Sequence, residues 1–496
     1  MAATEQATVG LVKERTESFI DGEWVPSTGE RVIEVIDPST EEIAGTVRES
    51  SAADVERAAR AARVAFDEGP WRKMAPSERA DVVDELRRRL EARAGDLAYA
   101  ATAEIGMPIT MSQASQQGAF SYLKFYADLA RSFEFREDRL RQDGSTTRIL
   151  REPVGPVAAI VPFNGAFPVA CMKIAPALVA GCTTVVKPSP ETPLAVDILG
   201  EVAGEMTRDG ILPRGVINVV VADREGSEAL VASPDIDKVT FTGSTAVAKQ
   251  IISTVGQRIG RFTLELGGKS AAIVMDDANL ADAITPLLIG GLINTGQACF
   301  GLTRVLVSER RRDELIDAMK QFVGGMVIGS SWDPATTTGP LAAARHRDRV
   351  ERYVAVGVEE GARIAIGGKR PEHLEKGFFY EPTVLVDVNN SMRVAREEIF
   401  GPVVSVLTYK DLDEAVAIAN DTEYGLGGAV FGTDIEVAYD LAQRMRTGTV
   451  QINTFVGAHV TTPFGGYKES GIGREGGVEG LEPFLETKSV HMALGA

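Results

Sequence analysis

Cysteine is scarce: the 496 residues hold three, Cys171, Cys182 and Cys299. A sparse, odd set in a long chain suits a reducing compartment better than a disulfide framework. Histidine is nearly as rare. His346, His373, His459 and His491 are scattered, no histidine–cysteine–carboxylate group has metal-ligand spacing, and no metal site is expected. Positive charge is short as well: 52 basic against 70 acidic residues leave a net charge of −18, which argues against nucleic acid and anionic membranes as partners. Long apolar runs are missing. No uninterrupted apolar run approaches the roughly 18 residues that span a bilayer, and the opening MAATEQATVGLVKERTESF lacks the apolar core of a secretory signal. A cytoplasmic location is the expectation.

What is present is ordinary for a globular chain, 44% apolar and 25% charged. The length exceeds one hydrophobic core, so two or more domains are expected. FIDGEWV (19–25) reads as strand and turn. Ser51 to Asp54, SAAD, has the form of a capping box, followed by Val55, Ala58, Ala62 and Phe66 at helical spacing. The pattern over 76–103 predicts one long helix or two, with charged residues on a solvated face.

The clearest architecture begins after residue 156. Runs rich in Val, Ile, Thr or Phe at 157–161, 183–187, 216–220, 238–241 and 262–266 alternate with helical patterns near 169–180, 193–206, 227–233 and 245–255. Such alternation predicts an α/β fold with a Rossmann-like, doubly wound parallel sheet and right-handed crossovers. Its ligands would bind at the carboxyl ends of the strands. A second α/β unit follows, with strands near 271–275, 303–307, 383–388, 403–409 and 448–453, and helices near 279–294, 311–322, 341–361, 412–420 and 435–445. The boundary is expected near Gly267.

Chemistry gathers at few points. Cys299 lies in INTGQACFGLTR (293–304), where Gly296 and Ala298 leave a thiol open to a carbonyl. Alone, that thiol reads first as buried apolar filler. Glu265 lies 34 positions earlier (299 − 265) in FTLELGGKS, at a strand end before paired glycines. Lys187 ends the run TTVVK. Gly243 and Ser244 form a turn entering a helix, where backbone N–H groups favour phosphate oxygens. Asn164, after Pro162 and Phe163, reads alone as a turn-former.

GQAC (296–299) together with ELGGKS (265–270) resembles the aldehyde dehydrogenase superfamily, and further matches run along nearly the whole chain. The resemblance implies an NAD(P)-binding domain (1–133 and 154–266), a catalytic domain (267–476) and an oligomerisation element (134–153 and 477–496) that makes a dimer or tetramer. It implies Cys299 as nucleophile, Glu265 as general base and Asn164 as oxyanion donor. Cofactor contacts fall on Val161, Pro162, Phe163, Lys187, Gly243, Ser244, and on Glu398 and Phe400 of EEIFGP (397–402). PFGGYKESGIGRE (463–475) matches as a structural turn.

The chain also departs from that family. Phe163 replaces a tryptophan, and Ala248 a glycine. Pro190 stands where a ribose-binding carboxylate is common, with Glu191 one later, and Arg224 enters a usual Gly-Asp-Gly. NAD is the expected cofactor, and Arg224 leaves NADP open. By position, Phe167, Met172, Phe300, Phe455 and His459 line the substrate entrance, which suits a medium apolar or aromatic aldehyde. Two rivals are a CoA-acylating dehydrogenase, against which Glu265 argues, and a non-catalytic protein on the same fold, against which the three catalytic residues argue together.

Overall fold

The computed structural model describes residues 14–493. Most of the expected leaderless opening (1–13) and the end of the expected oligomerisation tail (494–496) lie outside them. The strand Val157–Ile160 is wholly buried, and its alternate residues enter different cores. Val157 and Ala159 join one cluster with the helices Ala166–Ala180 and Leu194–Arg208, while Ala158 and Ile160 join another with the helix Ala52–Asp67. A strand buried on both faces needs apolar residues at every position, which is why VAAI carries no alternation.

Around it an eight-stranded sheet runs in the order Gly471–Ile472, Arg261–Glu265, Lys238–Thr242, Val157–Ile160, Thr184–Lys187, Ile217–Val219, Glu17–Ile20, Glu23–Pro26. The five central strands are parallel. The chain enters at Val157, steps outward twice, then returns to the other side at Lys238. That reversal between neighbouring strands is the switch point where doubly wound sheets open a ligand crevice.

The second sheet has seven strands, in the order Arg363–Ile366, Thr383–Val386, Val403–Tyr409, Arg304–Ser308, Ala271–Val274, Gly427–Phe431, Thr449–Ile452, parallel except at the first pair. Leu485–Met492, Thr146–Pro153 and Arg136–Leu140 make a separate antiparallel sheet.

Local expectations meet the structure unevenly. Ser51 and Asp54 form the capping box, each side chain bonding the other's backbone N–H. The pattern over 76–103 resolves into two helices, Pro76–Ala92 and Ala94–Ile105. The segment 463–475 is more than a turn within the second unit: Gly471–Ile472 pairs with Leu264 and Glu265, adding an edge strand to the first sheet. The reason is the otherwise open edge of Arg261–Glu265, whose ladder a return strand satisfies.

Candidate active site

The helix Leu280–Leu292 ends in a tight turn, Ile293–Gly296, that delivers Cys299. Three consecutive residues take left-handed backbone there: Asn294 (φ 50°), Thr295 (φ 56°) and Gly296 (φ 71°). For the two with side chains this costs about 1–2 kcal/mol each, so the surroundings must enforce it. They do so by hydrogen bonds. Thr295 Oγ1 donates to the Gly339 carbonyl (3.0 Å), Gln297 Nε2 to Asn294 O (3.1 Å), and the Ala342 N–H to Gln297 Oε1 (3.0 Å). A Cβ on Gly296 would stand 2.1 Å from the Gly401 carbonyl oxygen. We therefore expect Gly296→Ala to lower stability by on the order of 2–5 kcal/mol, read as the urea midpoint. An unmoved midpoint would show that the turn is not clamped.

Cys299 is free and half-buried, whereas Cys171 and Cys182 are fully buried. Burial, then the carboxylates of Glu398 and Glu265, push the Cys299 pKa upward, so the sulfur rests as a thiol. Asn164 occupies the short turn Phe163–Gly165 after Val157–Ile160. Its Nδ2 donates to the Gln297 carbonyl at 2.8 Å, and Asn294 Nδ2 donates to the Asn164 carbonyl at 3.3 Å. One amide hydrogen is thereby fixed, and the second remains for a ligand.

Glu265 ends its strand at 2% exposure, and neither carboxylate oxygen has a hydrogen-bond partner among the described residues. Burial and then Glu475 raise its pKa well above the usual carboxylate range, opposed by Lys173 and Arg474. Behind it lies a buried pair that sequence reasoning missed: Lys173 Nζ bonds Glu475 Oε1 at 2.6 Å, and both bond Thr240 Oγ1. Its signal was available, since Lys173 is the single charge in the apolar helix AFPVACMKIAPALVA.

The residues expected to hold a dinucleotide sit at the strand ends. Lys187 is buried and donates to the Ala222 carbonyl at 3.0 Å. Burial lowers its pKa to about 8, against the pull of Glu191, Asp223 and Glu49. Buried Val161 bonds the Lys187 carbonyl through its N–H, with half-buried Pro162 next. Ser244 caps the helix Thr245–Gln257, and the Gly243 N–H bonds Glu265 O at 3.0 Å, tying this turn to the end of the strand Arg261–Glu265. From the second sheet's side, Glu398 accepts from the Gly268 N–H at 3.2 Å, and the Phe400 ring meets Phe163 edge-on at 5.6 Å. A switch-point crevice with a capped helix start, and a buried Thr242 hydroxyl there without a hydrogen-bond partner among the described residues, fits a dinucleotide. Arg224 is 79% exposed and paired with Glu228, so its charge is already engaged on its own helix.

The expected entrance residues divide. Phe300 stacks on Phe455 (5.6 Å, 28°) and meets Phe464 edge-on (6.1 Å, 86°), bordering a small cavity. Phe464 was not foreseen. Met172 is half-buried, and His459 is exposed and bonded to Thr461. Phe167 departs from expectation: it is 1% exposed and packs against Phe120, because its place in the helix Ala166–Ala180 turns it into the first sheet's core.

Comparison with known proteins agrees with this geometry. The model of the aldehyde dehydrogenase family matches residues 24–490. Geranial dehydrogenase of Castellaniella defragrans is 44% identical over 477 residues, 96% of this chain and 98% of that protein. An aldehyde dehydrogenase of Mycobacterium tuberculosis complexed with NAD+ superposes with a TM-score of 0.94 at 44% identity, covering 98% of this chain and 99% of that one. A mutant of aldehyde dehydrogenase C from Pseudomonas syringae, complexed with NAD+ and octanal, superposes at 0.91 with 38% identity and 96% of each chain covered. The chain described here belongs to the aldehyde dehydrogenase family and is an oxidoreductase acting on the aldehyde group.

Proposed function

We propose that this enzyme oxidises a medium apolar or aromatic aldehyde to its carboxylic acid, with NAD as hydride acceptor and Cys299 as covalent nucleophile. The observation that carries this reading is the convergence, at one crevice between two sheets, of a half-open thiol, an amide with a spare hydrogen and a buried carboxylate with both oxygens free. Relatives that carry NAD+ or octanal, and one named for geranial, support the cofactor and the substrate class.

Cys299 loses its proton to solvent and attacks the aldehyde carbon. The oxyanion that forms accepts hydrogen bonds from the spare Asn164 N–H and the Cys299 N–H; one such donor is worth about 3–4 kcal/mol. Lys187, Gly243 and Ser244 would hold the adenosine and phosphate end of the dinucleotide, and Glu398 and Phe400 the nicotinamide end. When bound, NAD supplies the acceptor for the hydride leaving the former aldehyde carbon. A thioester on Cys299 remains, and Glu265 takes the proton of the water that cleaves it. That base favours water over CoA as the acceptor.

The three-stranded sheet of Leu485–Met492 is our reading of the contact between copies in a homodimer or homotetramer, because its outer strands are largely solvent-exposed.

Steady-state reduction of NAD, NADP, or NAD with CoA, using hexanal, octanal and benzaldehyde, tests the assignment. Turnover without CoA is expected, with kcat/KM for these aldehydes at least about tenfold above that for phosphorylated or dicarboxylic semialdehydes, since an apolar wall leaves such charge unpaired. A preference for the charged substrates would overturn the substrate class, and an absolute need for CoA the hydrolytic route.

A further inference from the structure

One half-buried titratable ring takes no part in this chemistry. His346 lies in the first turn of the helix Ala344–Glu359, whose Val350 and Val354 pack into the core of the second sheet. Its imidazole lies flat on Phe163, with centroids 4.5 Å apart and planes at 26°. Phe400 meets the same Phe163 ring at 75°. Phe163 is therefore gripped by two rings from the second sheet's side, and the residue after it is Asn164.

The Nε2 of His346 is buried and lacks a hydrogen-bond partner among the described residues. The charged groups facing it are Arg345, Glu191 and Arg349. Arg345 pairs with Glu191 in the loop after Thr184–Lys187, and Arg349 donates to the Glu398 carbonyl. One helical turn thus fastens the cofactor crevice at both ends, with His346 between the fastenings.

We propose that His346 is a positioning residue: stacked on Phe163 from the opposite sheet, it fixes the turn Phe163–Gly165 and thereby the Asn164 amide over the nucleophile. This rests on reading Asn164 as the oxyanion donor. A side-chain amide reaches one hydrogen to Gln297 and the other to substrate only if its backbone is held. The turn has no side-chain cap of its own; Asn294 Nδ2 holds the Asn164 carbonyl at 3.3 Å, and the aromatic grip adds the restraint on the Phe163 side. The role requires the neutral ring. Burial and Arg345 lower its pKa from 6.5 to about 4, opposed by Glu191, so the native state binds fewer protons than the unfolded chain between those values. Stability held by His346 is complete above about pH 6.5 and falls as pH drops toward 4.

The test is a cycle of His346→Leu, His346→Phe and Asn164→Ala. His346→Leu is expected to lower kcat about tenfold or more with little change in NAD affinity, followed by protein-fluorescence titration. His346→Phe restores the flat ring and is expected to recover most of kcat, while flattening the loss of melting temperature between about pH 6.5 and pH 4. In the Asn164→Ala background, His346→Leu should add almost nothing to the loss in kcat, because it acts through that amide. If Asn164→Ala lowers kcat and folded His346→Leu does not, the positioning role is overturned alone. An undiminished kcat in Asn164→Ala overturns the oxyanion reading, and this role with it. A weakened NAD affinity at normal kcat reassigns His346 to cofactor binding.

Discussion

Cys299→Ala is expected to remove aldehyde oxidation, with kcat lower by about four orders of magnitude or more, while NAD still binds. The size of the effect follows from geometry. Cys171 and Cys182 are fully buried in the first sheet's core, out of reach of a substrate, whereas Cys299 is half-buried, so neither can replace Cys299 as the proposed nucleophile. Asn164 hydrogen-bonds the turn through Gln297 O, a backbone atom, so truncating Cys299 leaves the proposed oxyanion donor in place. Dinucleotide affinity should then stay within about threefold of native, because the expected holding residues sit on other segments. Stopped-flow reduction of NAD with octanal, beside a binding titration, reads both quantities. Residual turnover above about one part in a thousand in the pure variant would show that another group attacks the aldehyde.

The strands around Val157 were legible because a sheet buried on both faces writes itself as short apolar runs between helical patterns. The capping box at Ser51 was legible for the same local reason. The strand Gly427–Phe431 was not, since two glycines dilute its signal and it is held by neighbours on both sides, Ala271–Val274 and Thr449–Ile452. The helix Ile109–Ser132 carries scattered serines and glutamines, and its hydrophobic stripe becomes clear only against the helices it packs on.

Site residues divide along the same line. Motifs placed Cys299, Glu265 and Asn164 in the chain, but nothing local announces that Asn294 and Thr295 adopt left-handed backbone, a conformation imposed by bonds reaching Gly339 and Asn164. Glu475 belongs to the same class. Its partner Lys173 is 302 positions away, and the pair forms only because the return strand Gly471–Ile472 carries Glu475 across to the first sheet. Phe167 fails in the opposite direction: position near Asn164 suggested an entrance, whereas helical rotation sends its ring inward.

That buried pair makes the second large effect specific. Glu265→Gln should halt the cycle after acylation: about one equivalent of reduced cofactor per site forms in a burst, and steady turnover falls roughly 10²–10⁴-fold, since an amide cannot take the proton of water. As the proposed base, Glu265 works only as carboxylate, so the rate is expected to fall as pH drops through its pKa, with that limb above the usual carboxylate range because burial and Glu475 raise it. The neighbours must move the limb in opposite directions. Lys173→Met deletes the ammonium that favours the carboxylate and leaves Glu475 uncompensated, so the limb shifts to higher pH. Glu475→Gln deletes the like charge, so the limb shifts lower. Breaking one partner of a buried ion pair costs about 3–5 kcal/mol, so both profiles are taken well below the variants' melting temperatures. Opposite shifts with an intact burst tie the hydrolytic step to Glu265 and its charge to the pair behind it. Limbs that coincide with native would mean that the pair holds the return strand in place without tuning the base, and a missing burst in Glu265→Gln would place this carboxylate in the first half of the reaction instead.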